Sequence, residues 1–176
     1  MLEVNRDYQD IITSLQSGVI PESYPQVIDP VSMPKRFSKE KDAFDFSGMI
    51  ARDEIIRLSG FSMVAYDWIR PLSEWIGERK CLEVMCGSGI LSRALKDCGT
   101  SVIASDVTSW GKEWTEIEYI DCLDALAKYG HKTDIVICSW PPYNEIISYN
   151  LLLKMREVNP KLIMIYYRRM GRLHCL

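Results

Sequence analysis

From residue 80 onward the chain alternates short apolar runs with stretches of helical periodicity. Residues 80–84, 101–105, 117–120, 134–139 and 161–166 are rich in Val, Ile, Leu and Tyr and read as five strands. Residues 90–98, a segment through 123–127 and residues 146–155 repeat apolar positions at helical spacing, and Gly99 stops the first of these helices. Near-continuous apolar strands joined by helices predict an α/β fold: a parallel sheet covered by helices on both faces. Ligands of such sheets bind outside the carboxyl ends of the strands. The chemistry is therefore expected just after residues 84, 105, 120 and 139.

The first part of the chain is patterned differently. Tyr8-Gln9-Asp10-Ile11-Ile12-Thr13-Ser14-Leu15 has apolar residues at helical spacing. Pro21, Pro25, Pro30 and Pro34 then exclude a continuous helix or a central strand. Tyr24, Val27, Ile28, Val31 and Phe37 argue for an extended arm on the surface, over the ligand cleft, in place of disorder. Beyond it, residues 50–58 and 63–69 suggest two helices parted at Ser59-Gly60, and Pro71 suits the opening of a third, 72–76, ended by Gly77. The chain thus divides into residues 1–46, a helix and proline-rich arm, and residues 47–176, the ligand-binding domain.

Composition narrows the class. At 176 residues with 47% hydrophobic content, one domain with a real core is expected. A net charge of −3 gives no general attraction to nucleic acid, and no clear nucleic-acid patch is visible. The first residues lack the basic-then-apolar order of a signal peptide, and no apolar run approaches the ~20 residues of a membrane span, so a cytoplasmic protein without a membrane partner is expected. Six cysteines without a CxxC pair read as small buried hydrophobes, with no metal site. Trp68 and Trp75, at helical spacing, are expected in the core; Trp110 and Trp114 follow the second strand and either flank a bound ring or pack. His131 and His174 have no partner pattern, and Arg168, Arg169 and Arg172 form a small basic cluster.

At the four strand ends the residues are specific. The first runs through Glu83, Val84 and Met85 into Cys86-Gly87-Ser88-Gly89 and directly into a helix, so backbone can approach a ligand beside free N–H groups. The second ends in Asp106, placed to accept the hydroxyls of a ribose. The third ends in Asp121-Cys122, where an acid and the next N–H can meet an adenine edge, with Asp124 as a solvated competitor. The fourth ends in Ser139-Trp140-Pro141-Pro142-Tyr143, a rigid apolar wall.

In this order, the four resemble the motifs of class I S-adenosylmethionine-dependent methyltransferases, over about residues 70–166. The resemblance implies a Rossmann-like methyltransferase fold with S-adenosylmethionine as cofactor, bound by Glu83, Met85, Cys86, Gly87, Gly89, Asp106, Asp121, Cys122 and Ser139. It implies catalytic positioning by Trp140, Pro141, Pro142 and Tyr143, akin to the (Asp/Asn/Ser)-Pro-Pro-aromatic motif of amino-group methyltransferases. The methyl acceptor, expected to bear an amine, is not identified by any motif. Met85 stands where that family has its first glycine, and Trp140 replaces the polar residue that would orient an amine. The family sheet has seven strands, so this chain reads as truncated after strand five, leaving an apolar edge through which a homodimer is expected to form. Shifted by one nucleotide, codons for residues 167–175 can encode a glycine-rich loop, which suggests a frameshifted end. Two other functions fit part of the pattern. A non-catalytic S-adenosylmethionine-binding or scaffold protein would account for Met85 and Trp140. An NAD(P)-dependent oxidoreductase would need a third glycine where Ser92 stands.

Overall fold

The computed structural model describes residues 6–24, 46–139, 141 and 146–167. Two strands, β1 (Cys81–Val84) and β4 (Ile135–Ser139), are buried at every position, as strands between two helical layers must be. β1 lies between β2 (Val102–Asp106) and β4, parallel to both, with Glu83 level with Ala104 on one side and Ile137 on the other. β3 (Glu118–Tyr119) extends the sheet beyond β2 and β5 (Ile163–Tyr167) beyond β4, giving the parallel order β3-β2-β1-β4-β5. Sheet growth reverses direction between β1 and β4, and loops leaving these neighbours diverge to open a crevice. The fold is α/β with a parallel sheet, as the alternation of elements predicts, and it is Rossmann-like.

Side chains alternate between the faces of the sheet, so each face has its own core. On one, Cys81, Val102, Ile135 and Ile137 pack against α1 (Arg6–Gln16), α2 (Phe46–Ser59), α3 (Tyr66–Ile76) and α4 (Ile90–Asp97). On the other, Leu82, Val84, Val136 and Cys138 pack against α5 (Cys122–Tyr129) and α6 (Ile147–Val158), chiefly through Leu126, Leu151 and Met155. Tyr8, Ile12 and Leu15 of α1 are buried in the same cluster as Ala51 and Ile55 of α2.

Several details differ from the sequence pattern. Met63, Val64 and Ala65 are not helical, and the two helices expected at 63–69 and 72–76 are one, α3, with Pro71 inside it. A distant contact sets its start: the N–H groups of Tyr66 and Asp67 donate to the carbonyls of Pro21 and Glu22, at 3.0 and 2.8 Å. Those first-turn donors have no acceptor within a helix. Pro71 removes the donor for the Asp67 carbonyl, but both residues are exposed and water can replace it. Trp75 is 52% exposed and not in the core; the Arg79 guanidinium lies 4.1 Å from its ring. Trp68 is half-buried and its Nε1 donates to the Met63 carbonyl at 3.2 Å. β3 has two residues where four were expected, and β5 begins at Ile163. Among the described residues β5 pairs with β4 alone. The arm from Pro25 to Asp45 and the chain end from Arg168 lie outside the described residues.

The connection between β2 and β3 is anchored by Trp114. Its Nε1 donates to the Leu58 carbonyl and its backbone N–H to the Ser88 carbonyl, both at 2.9 Å. Lys112 Nζ sits 4.4 Å from the Trp114 ring and donates at 2.6 Å to the Leu15 carbonyl, at the end of α1, where a cation also favours the helix dipole. Trp114→Phe keeps most of the ring and removes the indole N–H, leaving the Leu58 carbonyl unpaired in a buried place. A loss of about 1–3 kcal/mol in urea-measured stability is expected, and an unchanged midpoint would show that the bond contributes nothing.

Candidate functional site

A cavity of about 580 Å³ opens at the carboxyl ends of β1, β2 and β4, within the size range of small-molecule sites. Its floor is the loop after β1: Met85, Cys86, Gly87 and Ser88. Asp106, Val107, Thr108 and Trp110 form one wall, Ile120, Asp121 and Cys122 another, and Ser139, Pro141 and Ile147 a third. Ser59, Gly60, Phe61 and Ser62, from the connection between α2 and α3, complete the rim. Sequence reasoning missed this last group; its only local signal is the helix break at Ser59-Gly60.

The loop is held from several sides. The Cys86 N–H donates to the Ser105 carbonyl at 3.1 Å and the Gly89 N–H to the Cys86 carbonyl at 3.0 Å, closing a tight turn. Ser88 Oγ donates to the Ser59 carbonyl at 2.7 Å, tying the loop to the rim. Asp106, 7% exposed, accepts from the Gly87 N–H through Oδ2 at 2.8 Å and from the Thr108 N–H through Oδ1 at 3.2 Å. Each oxygen retains a lone pair for a ligand hydroxyl. Gly89 is buried behind the cavity wall: at φ +73°, a Cβ there would lie 3.0 Å from Thr115 Cγ2 and 3.2 Å from Ile117 Cδ1.

Met85 adopts φ +55°, the left-handed conformation in which glycine is at ease and other residues cost about 1–2 kcal/mol. Its half-buried side chain packs on the α5–α6 core, which offsets part of that strain. Asp121 is exposed and caps α5, its Oδ1 accepting from the Leu123 N–H at 2.8 Å. Asp124, in the first turn of α5, is exposed. Trp110 is exposed on the cavity wall, whereas Trp114 is structural. Burial pushes the Cys86 thiol far above its ordinary range, with the charges of Glu83 and Asp106 adding to the effect, so it is no nucleophile. Trp140, Pro142 and Tyr143 lie outside the described residues; Pro141 is buried against the cavity.

Glu83 does not reach the cavity surface; it is fully buried behind it. Ser92 Oγ of α4 donates to its Oε2 at 2.5 Å and Ser139 Oγ of β4 to its Oε1 at 2.9 Å. Burial raises the carboxyl from 4.5 to about 7, against the lowering effect of the hydroxyls of Ser92 and Ser139 and the Ser92 N–H; Asp106 raises it slightly further.

Two predictions follow from these geometries. Met85→Gly, which removes strain and packing together, should change stability by less than about 1 kcal/mol. Met85→Val, a β-branched residue at positive φ, should lose on the order of 1–3 kcal/mol; equal tolerance of both in urea melts would contradict the strained turn. For Glu83, the folded chain holds a proton that the unfolded chain releases above about pH 4.5. Its contribution to stability is full below that pH and is lost as pH rises through about 7. Glu83→Gln keeps an acceptor and a donor for the two serines, so the variant should lack this decline, on the order of a few kcal/mol, in melts between pH 4.5 and 8. An identical pH slope in both proteins would rule it out.

No protein-family model, no curated protein and no solved structure matches this chain.

Proposed function

We propose that the protein is an S-adenosylmethionine-dependent methyltransferase. The observation that carries this reading is the meeting, in one cavity, of the turn Met85–Ser88, the Asp106 carboxylate and the Asp121-Cys122 strand end. The donor set suits the cofactor's parts. Asp106 can accept ribose hydroxyls while it holds the Gly87 N–H. Ile120 and Trp110 offer apolar surface for a purine, and Asp121 has an oxygen not used in capping α5 for an exocyclic amine. Bound S-adenosylmethionine supplies an electrophilic methyl on a sulfonium. The chain's own part is positioning: Met85–Ser88 and Asp106 fix the cofactor, Ser139 borders its charged end, and Pro141 borders the space left for the acceptor.

The oxidoreductase alternative is weakened by Ser92. Where a dinucleotide fingerprint needs a glycine for close packing of helix on strand, this side chain is fully buried and engaged with Glu83. A non-catalytic binding role is favoured by one observation, the strained Met85 at the position where glycine would leave the turn free. Methyl transfer to any acceptor separates the two.

Calorimetry with S-adenosylmethionine and its demethylated product tests the reading directly, and absence of binding by both at millimolar concentration would end it. Asp106→Ala should weaken S-adenosylmethionine by about tenfold or more, through lost charge-assisted bonds and a freed loop. Unchanged affinity in that variant would remove the cofactor from this wall.

A further inference from the structure

We propose that Glu83 makes the pocket selective for a cationic ligand, its carboxyl giving up a proton when a positive charge enters the cavity beside Ser139. The inference rests on the cofactor reading above and deepens it: Glu83 becomes the group by which the site tells a sulfonium from the uncharged thioether left after methyl transfer.

The charge distribution of the cavity is one-sided. The described residues that line it include two carboxylates, Asp106 and Asp121, and no Lys, Arg or His. A third carboxyl, Glu83, stands behind the wall, one hydroxyl away: Ser139 lines the cavity and donates to Glu83 Oε1 at 2.9 Å. A cation at Ser139 is therefore separated from Glu83 by a single side chain. The cavity lining also includes the apolar side chains of Met85, Cys86, Ile90 and Pro141, which screen charge–charge interactions poorly.

Glu83 is poised for such a response because the groups around it satisfy its oxygens without fixing its charge. From α4 and β4 come the hydroxyls of Ser92 and Ser139. From β2 comes Asp106, a like charge that favours the protonated form. The thiols of Cys81 on β1, Cys86 on the loop and Cys138 on β4 also feel its charge; burial raises Cys81 to about 11 and Cys138 to about 12, so they stay neutral near pH 7. With Glu83 itself at about 7, a cation has a proton to displace within the physiological range. A ligand that favours the ionised form releases the proton and binds more tightly as pH rises, and the coupling is reciprocal.

Calorimetry on the full chain at pH 6, 7 and 8, in two buffers of different ionisation enthalpy, reads the released protons. Binding of S-adenosylmethionine should release close to one more proton at pH 6 than binding of S-adenosylhomocysteine. The affinity ratio of the two should rise about tenfold from pH 6 to pH 8. Glu83→Gln should lose both the extra release and the rise in ratio. Equal release by the two ligands in the unmodified protein overturns the inference, and that comparison stands even if the variant does not fold. An extra release that persists in Glu83→Gln overturns it as well. Failure of both ligands to bind at any of the three pH values instead removes the cofactor reading on which it rests.

Discussion

The carboxyl of Glu83 is fully buried on the central strand of the sheet, and its need for hydrogen bonds ties together the elements that build the pocket. Ser92 brings the first turn of α4 against β1, and Ser139 brings the end of β4 to the same point. Ser105 Oγ adds a bond from β2 to the Glu83 carbonyl at 3.0 Å. Three adjacent strands and one helix thus meet at one residue, beneath the place where their loops part. A buried polar network of this kind specifies a single arrangement when all its members are satisfied and is costly when one is lost. An apolar residue in place of Glu83 would leave two serine hydroxyls facing hydrocarbon.

The loop above this network carries the opposite kind of constraint. Where β1 ends, the chain turns sharply toward α4, and Met85 takes the strain of that turn in its backbone. Asp106 steadies the result from the neighbouring strand by accepting the Gly87 N–H. That bond joins the two strand ends most exposed to a ligand. A group that competes for the Asp106 carboxylate therefore acts on the glycine loop as well.

The sheet was legible because burial on both faces leaves a plain mark: β1 and β4 are apolar almost throughout, and the two exceptions, Glu83 and Ser139, are hydrogen-bonded to each other at the site. The strand ends gave the cavity's floor and three of its walls for the same reason, since topology alone brings them together. Contacts between residues far apart in the chain were not legible. The start of α3 depends on carbonyls of Pro21 and Glu22, and nothing near Tyr66 announces them. Ser59–Ser62 enter the rim only because Ser88 and Trp114 draw the end of α2 to the loop. Trp75 is exposed even so: helical spacing identifies a face, while the presence of another layer against it depends on the rest of the fold.

The Lys112 bond to the Leu15 carbonyl spans 97 positions. During synthesis α1 emerges first, yet the lysine that closes its last turn leaves the ribosome roughly 5–20 s later at ordinary translation rates. An isolated helix of eleven residues is marginal in water. Ala51 and Ile55 of α2 are made in time to cover Tyr8, Ile12 and Leu15 early in that interval, whereas Lys112 and Trp114 join them only at its end. A helix that precedes the sheet in the chain is thus closed by a residue that follows the sheet's first two strands.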